Sequence, residues 1–281
     1  VLLERKPQTA DHIIIDEGQD LPKDWYLFSR RTCSQITVFL DTNQTITSDI
    51  EHATAQQVKD FIESPKEYKV TQNHRNTKQI AKLSQHYFKG NPQNLPTLPE
   101  NKEGPIPEIV NRKDWKHSLE YIANYADTYP EQSIGIFAPF KGWAEKWSET
   151  LPFYLDSDRT IHLAVRGPNG ENPEEADFDA IENGGILITT TATMKGLEFD
   201  AVFVLETDNP HYNKILQGAH GNQIFYVMIT RSRQTLEFLY SGAANDPPSI
   251  FNDVPDEILK RPHSENGTPY NYDGDEEDNP F

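Results

Sequence analysis

Short apolar runs alternate with amphipathic stretches along most of this chain. His12–Asp16 and Ile36–Leu40 read as strands, with a helical pattern at Lys23–Arg31 between them. Asp41–Ile50 is polar and loop-like, and Ala53–Ile62 and Thr77–Phe88 carry helical spacing. A second set follows: a strand near Ile109, a helix at Trp115–Tyr125, a strand at Ile134–Ala138 and a helix at Trp143–Leu151. Strands at Ile186–Thr190 and Ala201–Leu205, a helix at Asn222–Thr230 and a strand at Thr235–Tyr240 complete it. Strands alternating with helices point to an α/β fold with largely parallel sheets. Asn91–Pro107 is rich in Pro, Asn and Glu and reads as a linker; Arg166–Glu175 is rich in Gly, Asn, Pro and Glu. The expected organisation is a first unit over 1–90, a linker over 91–107, a second unit over 108–245 and a tail over 246–281. No internal repeat is visible.

Composition narrows the classes. A chain of 281 residues is long enough for two domains of moderate size. No apolar run approaches the roughly 18 residues a membrane span needs, and Val1–Ala10 lacks the apolar core of a secretory signal. The single cysteine, Cys33, excludes an internal disulfide or a cysteine zinc cluster, and the nine histidines are scattered without metal-ligand spacing. A reducing, cytoplasmic setting fits. The net charge of −18 argues against a generic nucleic-acid-coating surface. Residues 253–281 hold nine acidic and two basic side chains, so the tail accounts for −7 and the body for −11. A nucleic-acid groove would therefore be a local basic strip on an acidic protein. Asp273–Asp278 reads as a solvated acidic tail, expected to be disordered.

Five segments carry chemistry. Asp16-Glu17-Gly18-Gln19-Asp20 follows the apolar run Ile13–Ile15 directly. A buried strand ending in adjacent carboxylates places a magnesium-coordinating Asp beside a water-activating Glu in nucleoside-triphosphatases; a plain polar turn is the alternative. Val38–Gln44 again opens an apolar strand into a polar tip, where Gln44 can bridge a terminal phosphate to a bound strand. Gln72-Asn73-His74-Arg75-Asn76-Thr77 sets an Arg just before a helix. Its planar, always-charged fork suits a γ-phosphate, although a surface Arg beside an Asn76 or Thr77 cap is the simpler reading. Thr189–Asp200 inserts hydroxyls, Lys195, Gly196 and Glu198 between two apolar strands. Phe225–Arg233 ends an apolar helix with Arg231 and Arg233, suited either to an arginine finger or to capping a helix C-terminus.

The order and spacing of these segments resemble motifs II to VI of superfamily 1 helicases of the UvrD/Rep type, over about residues 10–242. The resemblance implies two RecA-like units, the first incomplete, with ATP between them and Mg²⁺ as cofactor. It implies that Asp16 helps hold Mg²⁺ and Glu17 polarises the attacking water. Gln44 would sense the γ-phosphate, and Arg75 and Arg231 would clamp it. Glu198 would reach the ribose, Gly196 would allow close backbone approach near the nucleotide, and His74 would stack on the base where the family usually has Tyr. Arg233 would support Arg231 and the domain interface. Single-stranded DNA is the implied partner, and movement along it the implied activity, with 3′→5′ polarity.

Departures from the family pattern are equally specific. After Gln44 the family usually carries aromatics that stack on DNA, where this chain has Ile46-Thr47-Ser48-Asp49. Ala192 stands where the family usually has His. The excursion between Leu151 and Ile186 is too short for the large insertion domain of full-size relatives. No Gly-x-x-x-x-Gly-Lys-Ser/Thr loop occurs in the chain, so the phosphate-cradling amides and Lys must come from elsewhere. The expectation is the C-terminal portion of an ATP-driven motor, inactive alone and completed by an N-terminal P-loop segment. The alternative is a non-catalytic interaction or regulatory module with a helicase-like fold. DNA repair, replication and phage defence are all compatible settings.

Overall fold

The computed structural model describes residues 10–41, 44, 53–62, 65–90, 92–166, 178–191, 193–194, 196–218, 220–242 and 247–262. It is an α/β protein built on two parallel sheets. The smaller sheet pairs β1 (Ala10–Ile15) with β2 (Cys33–Val38), joined through α1 (Lys23–Thr32). A crossover helix is what lets two consecutive strands run parallel. Helix α2 (Ala55–Ile62) packs beside α1, and Ile15, Tyr26 and Val58 form a small core under this sheet. The outer surface of this unit stays apolar: Ile14 is 68%, Phe28 61% and Phe39 57% exposed.

The larger sheet has six parallel strands in the order β3-β8-β7-β4-β6-β5. These are β3 (Glu108–Asn111), β4 (Ile134–Ala138), β5 (Ile161–Ala164), β6 (Ile186–Thr190), β7 (Phe199–Val204) and β8 (Ser232–Tyr240). Its central strands are buried on both faces, which is why Ile186–Thr190 and Ala201–Val204 read as continuous apolar runs rather than alternating ones. One face is covered by α4 (Trp115–Thr128) and α5 (Lys141–Thr150), through Leu119, Ile122, Ala144 and Trp147. The other is covered by α7 (Pro210–Gln217) and α8 (Gly221–Thr230), through Tyr212, Phe225 and Met228. A short helix, α6 (Phe178–Glu182), precedes β6. Strand β5 and helices α6 and α7 had no counterpart in the sequence reading. The Arg166–Glu175 stretch lies mostly, and the Asp273–Asp278 tail wholly, outside the described residues.

Three expected boundaries move. Helix α3 (Lys78–Tyr87), expected at the end of the first unit, instead joins the core of the second: Ile80 and Leu83 are fully buried there, and the Tyr87 ring stacks on Phe225 at 5.3 Å. The cause is the helix's own apolar stripe, which finds a partner in α8 and none in the two-stranded sheet. The expected linker is a strap along α3. Lys78 N–H donates to Lys102 O at 2.8 Å, Gly104 N–H to Gln79 Oε1 at 2.8 Å, and Gln85 to Pro96 O at 2.8 Å. The expected tail over 246–281 begins as packed chain: Phe251 and Leu259 are fully buried, and Lys260 exchanges backbone hydrogen bonds with the start of β3. Its acidic side chains point outward while its apolar ones bury, a distinction that net charge alone does not reveal.

Candidate functional site at the junction of the two sheets

Strand β1 runs straight into the first candidate segment. Asp16 is exposed, and its Oδ1 accepts the Glu17 backbone N–H at 2.9 Å. Glu17 adopts a left-handed conformation, with φ 52°. That conformation is unfavourable for a residue other than glycine and is held by its surroundings. Gly18 N–H donates to Phe39 O at 2.8 Å, and Tyr26 Oη donates to Gly18 O at 2.6 Å. A Cβ on Gly18 would lie 2.4 Å from Val38 Cγ1, so only glycine allows the turn to close against β2. Gln19, buried, donates to the Glu17 carboxylate and accepts the Asp41 backbone N–H at 2.9 Å. The turn after β1 is thereby tied to the tip after β2.

Gln44 continues the connection. Its Nε2 donates to Asp41 Oδ2 at 3.0 Å, and its Oε1 accepts from the Arg231 guanidinium at 3.3 Å. Arg231 lies at the C-terminal end of α8, only 1% exposed. Its Nε donates to Val227 O and its NH1 to Leu197 O, each at 3.0 Å. The capping role and the outward-facing role are therefore carried by one side chain. Among the described residues its direct partners are all neutral oxygens. Burial pushes its pKa down to about 10, helped by the Arg75 charge and opposed by Glu198 and Glu17. It stays charged at neutral pH, as a buried cation whose carboxylates are near but not in direct contact.

Arg75 is engaged. It pairs with Glu198 Oε1 at 2.5 Å, while Arg233 Nε donates to Glu198 Oε2 at 3.2 Å. Glu198 thus bridges two arginines, and Arg233 reaches Glu198 rather than Arg231. Lys102 donates to the Arg75 carbonyl, and its pKa is lowered by burial and by the Arg233 charge. His74 is exposed, with its ring open to a stacking partner. Gly196 has φ +78°, and a Cβ there would meet nothing within 4 Å. Its backbone, not crowding, calls for glycine. Gly196, Leu197, Glu198, Phe199 and Arg233 line a cavity of about 250 Å³ with Ile181 and Glu182.

The structure therefore gathers Glu17, Gln44, Arg75, Glu198 and Arg231 around one junction, with Asp16, His74 and Gly196 at its margins. Ala192, Lys195 and the Ile46–Asp49 stretch lie outside the described residues. Two residues prove central in ways sequence reasoning did not foresee: Gln19, which it left without a role, and Asn76, which it offered only as an alternative helix cap to Thr77. Gln19 links the carboxylate turn to Asp41. Asn76, 1% exposed, donates to Thr230 O at 3.1 Å and Ser232 O at 2.6 Å, while Thr77 caps α3. Asn76 thus docks the Arg75 segment onto the Arg231 segment. The cap is Thr77 and not Asn76; the sequence offered either, and the long-range partners of Asn76 lay beyond any local signal.

For Mg²⁺, the described residues hold no group of three or more His, Cys, Asp or Glu that could bind a metal. Mg²⁺ keeps several waters and takes one or two carboxylates plus substrate phosphates. The exposed Asp16 carboxylate beside Glu17 fits such a site.

The larger unit is an α/β fold with a six-stranded parallel sheet flanked by helices, consistent with a RecA-like domain, and Arg231 and Arg233 stand at the start of β8. Residues 171–242 match the family described as the UvrD-like helicase C-terminal domain. Among solved structures, the C-terminal domain of a possible DNA helicase from Lactobacillus plantarum WCFS1 is similar at TM-score 0.47 and 17% identity, covering 67% of this chain and 98% of that one. Comparison with curated proteins finds no match. Among the described residues no helix is long and apolar enough to cross a membrane.

Proposed function

We propose that this chain is the C-terminal portion of an ATP-dependent DNA helicase or translocase of UvrD/Rep type, moving 3′→5′ on single-stranded DNA. The observation that carries the reading is Arg231, a buried guanidinium between the sheets whose direct partners among the described residues are neutral. A site of that kind favours an anion, and a γ-phosphate suits its planar fork. Asp16 would hold Mg²⁺, which when bound would neutralise charge on the phosphates. Glu17 would orient and polarise the attacking water. Gln44 would report the state of the site through Asp41 and Gln19, so that nucleotide arrival in one sheet is felt in the other. The exposed Ile14, Phe28 and Phe39 support a further part of the reading: additional chain bearing the P-loop covers the two-stranded sheet.

The test pairs this chain with a segment bearing a Gly-x-x-x-x-Gly-Lys-Ser/Thr loop, encoded upstream or in a neighbouring gene. The expected result is DNA-stimulated ATP hydrolysis that Glu17→Gln abolishes, with unwinding of duplexes that carry a 3′ overhang and not of those with a 5′ overhang. This chain alone should show no turnover. Absence of hydrolysis from the reconstituted pair would overturn the motor reading in favour of a non-catalytic module.

A further inference from the structure

Arg75 leaves the chain from a segment that is neither helix nor strand, just before the Thr77 cap of α3. Side chains hold both of its peptide groups. Asn73 Oδ1 accepts the Arg75 N–H at 3.0 Å, and the Lys102 ammonium donates to the Arg75 carbonyl. Asn73 is a local partner, and its Nδ2 also donates to Asn76 Oδ1 at 3.0 Å. Lys102 comes from the strap along α3, 27 positions away in sequence. It belongs to none of the five segments that carry chemistry, and the functional reading leaves it unused.

The strap is held in place by other groups. The Lys102 carbonyl accepts the Lys78 N–H, and the Gly104 N–H goes to Gln79. The Glu103 carboxylate accepts from Lys78 Nζ at 2.9 Å and from Gln79 Nε2 at 2.6 Å. The Lys102 ammonium, by contrast, sits where its charge is disfavoured. Burial and the Arg233 charge hold its pKa below the usual lysine value, against the pull of Asp200 and Glu198. Glu198 is a charge neighbour of Arg75, Arg233, Arg231 and Lys102 alike. A further cation in a cluster already rich in cations is unfavourable in the free protein and favourable once an anion arrives.

We infer that Lys102 is a positioning residue for phosphate recognition: it holds the Arg75 carbonyl from the strap and so sets the direction in which the Arg75 guanidinium leaves the backbone. Asn73 fixes the amide side of the same residue, and Lys102 fixes the carbonyl side. With both peptide groups held, the partly exposed Arg75 side chain loses less freedom on meeting a phosphate, which is how pre-organisation raises affinity. The inference rests on the reading in which Arg75 clamps a terminal phosphate, and adds to it a residue from the expected linker that acts through Arg75.

Calorimetric titration of the 281-residue chain with tripolyphosphate, without metal, tests the role. Lys102→Met keeps the backbone carbonyl that accepts from Lys78 and removes only the ammonium. It should weaken binding about fivefold, and Lys102→Arg should restore it. A double-mutant cycle separates positioning from plain charge. In an Arg75→Gln background, Lys102→Met should cause no further loss, because the residue it positions is gone. Hydrogen exchange should quicken at the Arg75 and Asn76 amides in Lys102→Met, while α4 is unchanged. Circular dichroism verifies folding, and Lys102→Ala takes the place of Lys102→Met in the cycle if that variant does not fold. Equal losses in the two backgrounds would show that Lys102 acts on the anion as one more charge, and would overturn the positioning role. Binding unchanged by Lys102→Met would overturn it too, with the phosphate reading of Arg75 intact. If the wild-type chain does not bind tripolyphosphate, or binds it no better than Arg75→Gln does, the reading of Arg75 falls and the positioning role with it.

Discussion

Arg231 NH2 donates to Gln44 Oε1 at 3.3 Å, joining residues 187 positions apart in sequence. This hydrogen bond connects the polar tip of the small sheet to the arginine edge of the large one. Through Asp41 and Gln19 it continues to Glu17, so a carboxylate at the end of β1 and a guanidinium at the end of α8 share one chain of polar contacts. A ligand that reorients either end disturbs the other, which is the physical content of coupling between sites.

The fork of Arg231 is the first thing to test. Arg231→Lys keeps a charge but cannot reach Val227 O, Leu197 O and Gln44 together. In the reconstituted motor, ATP hydrolysis at saturating nucleotide should fall about 10³-fold, the loss associated with removing a phosphate-facing arginine. Steady-state kinetics provide the measurement. Full activity in the lysine variant would leave only a helix-capping role for Arg231.

Asn76 should matter for assembly rather than chemistry. Asn76→Ala leaves two buried carbonyls, Thr230 O and Ser232 O, without their donor. The expected loss is about 1–3 kcal/mol in urea unfolding. Because Asn76 docks the Arg75 segment, α3 should also gain amide hydrogen exchange while α4 does not.

Glu198 holds Arg75 and Arg233 through side chains that are roughly a quarter to a third exposed. Glu198→Gln should therefore change stability by less than about 1 kcal/mol. It should release Arg75 toward an anion. Tripolyphosphate, which lacks a ribose, should bind about fivefold more tightly to the variant by calorimetry. Unchanged or weaker binding would indicate that Glu198 positions Arg75 for the phosphate instead of restraining it.

Glu237 should make stability depend on pH. Burial pushes its carboxyl above the ordinary value of 4.5; Glu108 adds to the shift, while the Tyr121 hydrogen bond, Arg112 and Lys260 oppose it. A carboxyl with a raised folded pKa is most favourable when protonated. Its contribution is complete below about pH 4.5 and is lost as pH rises through the folded pKa. Glu237→Gln removes the ionisation, so it should raise the melting temperature at pH 8, and the gain should shrink toward pH 4.5. A pH-independent loss would show that the Arg112 attraction outweighs burial.

Much of this protein was legible in the chain itself. Ile186–Thr190 and Ala201–Leu205 have no polar alternation because they are buried on both faces, and strands of that kind belong to parallel sheets under helices. Asp16–Asp20, Arg75, Glu198 and Arg231 could be nominated because a local string carries their chemistry. Strand β5 and helix α7 escaped notice: Ile161–Ala164 has only four residues, and α7 opens with Pro210 after a polar turn. What lies beyond local pattern was decided in three dimensions. The side of the molecule on which α3 packs, the burial of Phe251 and Leu259, the pairing of Arg75 with Glu198, and the reach of Asn76 to α8 all join residues far apart in sequence. Periodicity and motif strings record what a segment needs, an apolar partner or a counter-charge. Which distant segment supplies it depends on closing the chain around a shared core, and that is settled only when the whole sheet assembles.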